Sequence, residues 1–261
     1  MSFVLVILII YVGLVVVFYF LQHLFFFRPE MLPQDFTYQY SFPFEEKKFD
    51  LPDGGHINAI WFKVPNSLGV VFFLKGNSRS IKGWGKFAKD YVGKGYDFFM
   101  MDYRGFGKSR GKRSEQIIYS DTEYIYNWLA EQYSQQKIVV LGRSLGCGFA
   151  ARVAAWNDPR MLILDSPYYS FEYQIRRFAW WLPLKLILRY KIPTYQYLQK
   201  VNCPVYIIHG DKDSLISYEQ GVRLQKLIPD RAKLITIKGG HHNNLPDFES
   251  YHKALYKILN S

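Results

Sequence analysis

Apolar and polar positions divide most of the chain into two kinds of segment. Short runs rich in Val, Ile, Leu and Phe have the length of buried strands, and they predict strands near 70–74, 97–101, 137–141, 161–164, 205–209 and 233–237. Longer segments of helical character separate them and predict helices near 82–93, 115–134, 145–156, 218–227 and 248–259. The alternation predicts a mostly parallel sheet covered by helices on both faces.

The beginning of the chain is a long apolar run without charge. No charged residue occurs from Ser2 to Phe27, and the stretch from Phe3 to Leu21 is long enough to cross roughly 30 Å of hydrocarbon. A secretory signal would carry a basic start and an Ala-x-Ala cleavage site, and this run has neither. The pattern predicts a transmembrane anchor over residues 1–27. A buried core helix is the alternative interpretation.

Residues 28–261 are long enough for one domain with a large core and contain no repeat or low-complexity tract. Within them, residues 42–63 predict a pair of strands that turns at Pro52 to Gly55. No feature of the sequence indicates an oligomeric state.

The charge of the protein lies entirely outside the predicted anchor. The chain has 33 Lys plus Arg against 22 Asp plus Glu, a net charge of +11, which favours contact with an anionic membrane leaflet. No basic helix or Lys/Arg cluster is present, so we expect no nucleic-acid partner. Arg28, Lys47 and Lys48 follow the anchor and no basic residue precedes it, which predicts a single-pass membrane protein with a cytoplasmic domain.

The cysteine content argues against a metal site or a disulfide framework. Only Cys147 and Cys203 are present, and their positions do not have the spacing of metal ligands. We therefore expect neither a metal nor a cofactor.

One short segment has the pattern of a nucleophile. Residues 137–146 read K-I-V-V-L-G-R-S-L-G, so that Ser144 lies between two glycines, after a predicted strand and before a predicted helix. A Gly-x-Ser-x-Gly turn in this context is the nucleophile elbow of α/β hydrolases, which presents the hydroxyl at the positive end of a helix. The spacing makes Ser144 the candidate nucleophile.

A serine nucleophile needs a histidine base and a carboxylate, which in this fold follow it in the order acid, then base. Asp211 and Asp213 come after the strand near 205–209, and His241 and His242 come after the strand near 233–237. These loops are expected at the carboxyl edge of the sheet, where such folds build their sites. Asp165, at the end of an earlier strand, is a further candidate acid.

Several motifs together resemble a known family. They are D-Y-R-G-F-G-K-S-R-G (102–111), G-R-S-L-G (142–146), D-S-P-Y-Y-S (165–170), W-L-P (181–183), L-I-L-R-Y (186–190), P-V-Y-I-I-H-G-D-K-D (204–213) and G-G-H-H-N-N-L (239–245). In this order they resemble α/β-hydrolase domain proteins of the Bem46-like group, relatives of the serine aminopeptidase-like hydrolases. The resemblance runs from about Phe42 to the C-terminus. It implies an α/β-hydrolase fold and a serine hydrolase activity.

The resemblance also selects among the candidate site residues. It implies Ser144 as nucleophile, Asp213 as acid, because the family's acid is the second aspartate of its G-D-x-D loop, and His242 as base, because the family's histidine precedes Asn.

The resemblance has one departure, at the turn after the strand 70–74. K-G-N-S stands there in place of the family's H-G-N, so that Lys75 replaces a histidine. The expected oxyanion donors are the backbone N–H groups of Leu145 and, in this turn, of a residue near Asn77. Because backbone donors do not depend on side chains, we expect the oxyanion hole to persist. We expect the Lys75 ammonium to point to solvent, with stabilisation of anionic charge as the alternative.

Residues 166–200 combine many aromatic and basic side chains between two predicted strands. This composition predicts a small helical cap over Ser144, whose outer face could contact a membrane. An apolar, aromatic cap favours an acyl chain over a sugar or a nucleotide.

The sequence therefore predicts a membrane-anchored serine hydrolase that cleaves an ester, thioester or amide through an acyl-enzyme. Its substrate is expected to be a small-molecule or lipid-like acyl compound. The alternatives are a serine peptidase, suggested by the aminopeptidase-like relatives, and a catalytically inactive membrane scaffold, suggested by Lys75.

Overall fold

The computed structural model of the chain describes residues 2–261 and contains one eight-stranded sheet. Its strands are β1 (Phe44–Asp50), β2 (His56–Phe62), β3 (Val70–Leu74), β4 (Asp97–Met101), β5 (Ile138–Arg143), β6 (Met161–Asp165), β7 (Val205–Gly210) and β8 (Ala232–Ile237). They lie in the order β1-β2-β4-β3-β5-β6-β7-β8. The contacts of β2 with β1 and β4 are antiparallel, and every later pair is parallel, which confirms the predicted mostly parallel sheet.

The described part of the chain, residues 2–261, contains ten α-helices that surround the sheet or precede it. They are α1 (Phe3–Phe26), α2 (Ile81–Trp84), α3 (Lys89–Val92), α4 (Glu115–Gln132), α5 (Gly146–Trp156), α6 (Phe171–Arg176), α7 (Leu184–Ile187), α8 (Thr194–Leu198), α9 (Tyr218–Leu227) and α10 (Glu249–Leu259). Short 3₁₀ turns lie at Gly85–Ala88, Gln135–Lys137 and Leu245–Asp247. Buried side chains of α4, α5 and α9 form a core on one face of the sheet, and those of α2, α3 and α10 form a core on the other.

The central strand β3 shows why its sequence is apolar throughout. Val70, Phe72 and Leu74 face one core, and Val71 and Phe73 face the other. A strand covered on both faces has no solvent-exposed position, so an uninterrupted apolar run is its natural pattern.

The predicted helix over 82–93 differs from the observed structure, which is broken into α2, a 3₁₀ turn and α3. Gly83 and Gly85 weaken the helix here, because glycine has a low helix propensity. A Cβ at Gly85 would lie 2.1 Å from the Tyr40 ring, so this position requires the close approach that only glycine permits.

The first helix, α1, begins at an N-cap formed by Ser2 and is exposed over most of its length. Within residues 2–261 it is the one helix long and apolar enough to span a membrane. Its C-terminal end is different, because Phe26 and the following Phe27 are buried in the same core as α4 and α5. Residues 166–200 lie between β6 and β7 and carry α6, α7 and α8.

Candidate active site

The serine of the Gly-Arg-Ser-Leu-Gly turn lies between β5 and α5, at the carboxyl edge of the sheet. Ser144 has a φ of +53°, a left-handed conformation that residues other than glycine rarely adopt. Its N–H donates to the Asp165 carbonyl at 2.9 Å, which fixes the turn to the neighbouring strand. A strained backbone held by its surroundings is typical of functional sites, and here it has the form of a nucleophile elbow.

The glycines on either side of Ser144 allow the strand and the helix to meet. A Cβ on Gly142 would lie 2.5 Å from the Gly146 carbonyl oxygen, and a Cβ on Gly146 would lie 1.9 Å from the Leu74 carbonyl oxygen. Either contact would force α5 away from the sheet, so the spacing of the motif follows from the geometry of the turn.

Three side chains from distant loops form a hydrogen-bonded series at this edge. The Ser144 hydroxyl donates to His242 Nε2 at 3.0 Å, and His242 Nδ1–H donates to Asp213 Oδ2 at 2.7 Å. This assignment of the ring protons follows from the partners, because an ionised carboxylate only accepts. The structure therefore brings together the three residues that the sequence predicted as nucleophile, base and acid.

The carboxylate of this series is buried and held by several donors. Asp213 Oδ1 accepts from the N–H groups of Leu215 at 3.0 Å and Ile216 at 2.8 Å, and His209 Nε2 lies 3.4 Å from Oδ2. Burial opposes ionisation, but hydrogen bonds from His209 and His242 hold the pKa of Asp213 well below its usual value. The group is therefore an anion placed to accept the Nδ1–H of His242.

The other candidates in the two loops have different partners. Asp211 Oδ1 accepts from the Gly239 N–H at 2.7 Å, which joins the loop after β7 to the loop after β8. His241 is exposed, and its backbone N–H donates to Asn244 Oδ1 at 2.7 Å. Within residues 2–261, neither side chain makes a hydrogen bond to Ser144.

Asp165 is linked to His242 indirectly, through Arg143. Its Oδ2 accepts from Arg143 Nη1 at 2.7 Å and from the Tyr251 hydroxyl at 2.9 Å, and Arg143 Nη2 donates to the His242 carbonyl at 3.2 Å. This buried network supports the backbone of the candidate base, and sequence reasoning missed Arg143 and Tyr251. The pairing of β5 with β6 could have indicated the contact between Arg143 and Asp165, because these two residues are direct partners in the strands.

The predicted oxyanion donors lie beside the elbow. A Cβ on Gly76 would lie 3.6 Å from Ser144 Cβ, so the turn after β3 faces the serine. The N–H of Leu145 precedes α5 and has no intrahelical acceptor. Within residues 2–261, neither this N–H nor that of Asn77 donates in a turn or loop hydrogen bond. Both groups are available to a ligand oxygen.

The expectation that Lys75 points to solvent is wrong. Its side chain is fully buried (0% exposed); Nζ donates to the Arg79 carbonyl at 3.1 Å, lies 3.5 Å from Asp102 Oδ1, and sits 3.7 Å from the Phe106 ring centroid. Burial lowers the pKa of Lys75 to about 8 and raises the pKa of Asp102 to about 6, although each charge favours the other. Lys75 thereby spans the turn that carries Asn77, from its first residue to its last.

A cavity of about 430 Å³ adjoins Ser144 and His242. Its walls come from the oxyanion turn, the elbow, the segment 166–200 and the end of α1, with the lining residues Phe25, Phe26, Arg28, Trp84, Tyr168, Phe171, Gln174, Ile175, Phe178, Leu215 and Ile216 among them. Within residues 2–261, no Asp or Glu lines this cavity. Sequence reasoning missed the part played by α1, because a uniformly apolar run does not show which of its residues face a cavity.

Comparison with known proteins adds a family match. Residues 65–200 match the family described as serine aminopeptidase, S33. The chain is 28% identical over 201 residues to an alpha/beta hydrolase domain-containing protein 17C of Xenopus tropicalis, covering 75% of this chain and 63% of that relative. It is 26% identical over 205 residues to the alpha/beta hydrolase domain-containing protein aho-3 of Caenorhabditis elegans, covering 75% and 59%. The chain thus spans less than two thirds of these relatives.

Solved structures share the architecture. An esterase of Pyrococcus furiosus superposes with a TM-score of 0.71 at 20% identity, covering 90% of this chain and 97% of that one. A monoacylglycerol lipase of Paleococcus ferrophilus superposes with a TM-score of 0.60 at 19% identity, covering 78% and 98%. At such identities the likeness shows a common fold.

Proposed function

Because the chain belongs to the serine aminopeptidase S33 family of α/β hydrolases, we propose that it is a membrane-anchored serine hydrolase acting on an apolar acyl substrate. The bond cleaved is an ester, thioester or amide. The observation that carries this proposal is the series Ser144, His242 and Asp213, in which each side chain hydrogen-bonds to the next. Membership of the family supports the hydrolase fold, and the hydrogen-bonded series supports the proposed serine-hydrolase mechanism.

In the proposed reaction, Ser144 Oγ attacks the substrate carbonyl carbon while its proton passes to His242 Nε2. Asp213 stabilises the imidazolium, and the N–H groups of Leu145 and Asn77 hold the oxyanion. The leaving alcohol, thiol or amine departs with the proton from Nε2, which leaves the acyl group on Ser144. A water molecule, deprotonated by His242, then attacks the acyl carbon. The bond from this carbon to Ser144 Oγ breaks, His242 returns the proton to Oγ, and the carboxylic acid is released.

The lining of the cavity supports an acyl substrate. Its side chains are mainly aromatic and aliphatic, and its charged members are Arg28 and Arg143. Arg143 is neutralised by Asp165, whereas Arg28 is exposed and has no ion-pair partner within residues 2–261. An apolar chamber with a free cation suits an uncharged or anionic acyl compound better than a cationic one.

The same charge pattern weighs against the peptidase alternative that the family description favours. An aminopeptidase must bind the α-ammonium group of its substrate, for which a carboxylate near the scissile carbonyl is the natural partner. The described lining residues offer none. A peptidase would hydrolyse aminoacyl amides and show little preference among acyl chain lengths, so both substrate classes belong in the same assay.

Labelling with a fluorophosphonate probe tests the central claim. Wild-type protein should be labelled, and Ser144→Ala should not, because the probe captures an activated serine. Absence of labelling in the wild type, or equal labelling of the variant, would overturn the proposal in favour of the inactive scaffold. Profiling with activated esters of increasing chain length should then show a preference for longer apolar chains.

The proposal includes α1 as the anchor of residues 1–27 and a cytoplasmic position for residues 28–261, with a cap over the site at 166–200. The supporting observations are the exposed apolar length of α1 and the basic residues that follow it. Protease added outside intact cells should leave the domain whole, and it should degrade the domain once the membrane is opened. Degradation in intact cells would reverse the orientation.

A further inference from the structure

The last turn of α1 is part of the wall of the cavity. Phe25, Phe26 and Arg28 line the same space as Ser144 and His242. Phe26 is buried, and its ring lies 4.7 Å from that of Phe171 on α6. A helix that served only as a tether would not need to reach the site.

Hydrogen bonds join the end of α1 to the oxyanion turn. Asn77 Nδ2 donates to the Phe26 carbonyl at 3.0 Å, the Arg28 N–H donates to the Asn77 carbonyl at 2.8 Å, and the Arg79 N–H donates to the Arg28 carbonyl at 3.0 Å. The position of α1 is therefore fixed relative to the reacting atoms.

A second set of contacts fixes α1 against the segment 166–200. Gln22 is fully buried; its amide donates to the Ile187 carbonyl at 3.0 Å and accepts from the Arg189 N–H at 2.8 Å. Closer to the N-terminus of α1, the Tyr11 hydroxyl donates to the Trp181 carbonyl at 3.1 Å. From Tyr11 to Gln22 the helix rises about 16 Å, so the segment follows α1 well beyond the domain core.

This arrangement places part of the segment 166–200 beside the apolar length of α1. The side chains around the Trp181 contact are apolar and exposed, namely Phe178, Trp180, Trp181 and Leu186. Basic side chains flank them, as is typical of a surface seated among lipid head groups, namely Arg176, Arg177, Lys185 and Arg189. If α1 crosses the hydrocarbon, these apolar side chains enter the same leaflet.

Two residues connect this surface with the cavity. Phe178 is 61% exposed and Phe25 is 64% exposed, and both also line the cavity beside Ser144. One belongs to the segment 166–200 and the other to α1. Both therefore lie where the wall of the cavity reaches the surface beside α1.

We propose that the substrate is a fatty-acyl ester of a bilayer lipid, whose acyl chain enters the cavity sideways between α1 and the segment 166–200. This inference rests on the proposed function and adds to it a source of substrate and a route. The Phe25 and Phe178 side chains form the portal, and the chain passes from hydrocarbon to cavity without crossing water. The ester carbonyl then lies near the head-group level, where the oxyanion turn meets the end of α1.

The test uses the full-length protein in phosphatidylcholine vesicles and two substrates. One is a monoacylglycerol with an oleoyl chain in the vesicle, and the other is the water-soluble ester p-nitrophenyl acetate. The amount of active enzyme is measured by fluorophosphonate labelling. The readout is kcat/KM for the monoacylglycerol divided by kcat/KM for p-nitrophenyl acetate. We expect this ratio to fall at least ten-fold in Phe178→Asp and in Phe25→Asp, because a charge in the portal repels an apolar chain.

The matched controls separate the portal from general effects. Leu68 is 53% exposed but lies before β3, at the opposite edge of the sheet, so Leu68→Asp should keep the wild-type ratio. Phe178→Leu should keep most of the wild-type ratio, because leucine leaves the portal apolar. If both portal variants are active and their ratio is unchanged, lateral entry is overturned and the proposed hydrolase function still stands. An unlabelled wild type that turns over neither ester would overturn the proposed function instead.

A spectroscopic measurement tests the depth of the cap without using activity. Vesicles that contain brominated lipids should quench the tryptophan fluorescence of the Ser144→Ala protein. Replacing Trp180 and Trp181 together by Phe should remove most of this quenching, whereas replacing Trp156, exposed on α5, should remove little. Equal quenching in the two variants would contradict insertion of the cap.

Discussion

The two halves of the site are held in different ways. Ser144, Asp213 and His242 lie on short loops directly after strands of one sheet, whereas the oxyanion turn is held by the buried Lys75 and by the end of α1. The acid–base half is therefore fixed mainly by the sheet, whereas the turn with Asn77, which also follows a strand, has additional contacts with segments far away in the sequence. The two halves thus have different supports, which mutations can address one at a time.

The largest effect is expected at His242, the proposed base. His242→Ala should lower kcat by about 10⁶-fold, to the background, because a triad serine without its base loses nearly all of its reactivity. The neighbouring His241→Ala is the matched control and should retain nearly full activity. Kinetics with an activated ester measure both. Comparable losses in the two variants would mean that the assignment within the pair is wrong.

Replacement of Asp213, the proposed acid, should have a somewhat smaller effect. Asp213→Asn should lower kcat by about 10⁴-fold, because the amide can no longer hold the imidazole in the required tautomer. Asp211→Asn changes only the contact with the Gly239 N–H, so most of the activity should remain. A larger loss in the Asp211 variant would exchange the roles of the two carboxylates.

On the oxyanion side, Lys75 should act mainly through stability. Lys75→Met removes one partner of a buried ion pair and should lower the free energy of unfolding by about 3–5 kcal/mol. Lys82→Met, at a half-exposed lysine paired with Glu30, should cost at most about 1 kcal/mol. Thermal unfolding in detergent measures the difference. Equal effects would show that the buried pair does not hold the turn.

The same lysine predicts a dependence of stability on pH. Burial lowers the folded-state pKa of Lys75 to about 8, so from there to about pH 10 the unfolded chain binds more protons than the folded one. Stability should therefore rise with pH in this window, by at most about 1.4 kcal/mol per pH unit, relative to Lys75→Met. Unfolding temperatures of both proteins at pH 7, 8, 9 and 10 provide the test. A constant difference would contradict it.

The smallest effect is expected at the contact between the oxyanion turn and α1. Asn77→Ala removes the hydrogen bond to the Phe26 carbonyl and should cost about 0.5–1.5 kcal/mol of stability, since the backbone bond to Arg28 remains. Asn260→Ala, which removes an exposed hydrogen bond to the Tyr256 carbonyl, is the control and should cost less. Unfolding temperatures rank the two variants.

The acid–base half was largely predictable from the sequence. Apolar runs such as 70–74 and 161–164 have the pattern of strands buried on both faces, and the structure has strands there. Ser144 follows such a run directly, and Asp213 and His242 lie in the loops after the runs 205–209 and 233–237, so local patterns were sufficient to indicate these loops. The choice between adjacent residues came from the family resemblance, and the structure now shows distinct partners for each.

The other half was less predictable, because its determinants are not local. Lys75 is buried by Asp102, Tyr103 and Phe106, which no local pattern around residue 75 indicates. The solvent-exposed orientation predicted for it was wrong for this reason. The contribution of the end of α1 to the cavity could not be predicted either, because Phe25 and Phe26 belong to an apolar run that does not distinguish them from their neighbours.

The buried amide of Gln22 has a consequence for the biogenesis of the proposed membrane enzyme. Its partner at Ile187 lies 165 residues later in the chain, so the ribosome delivers the helix long before it delivers the groups that satisfy that amide. An anchor that inserts during translation would wait in the lipid while the rest of the protein emerges and folds against it. Maturation of the catalytic centre would then be completed at the bilayer, which serves as a template for assembly.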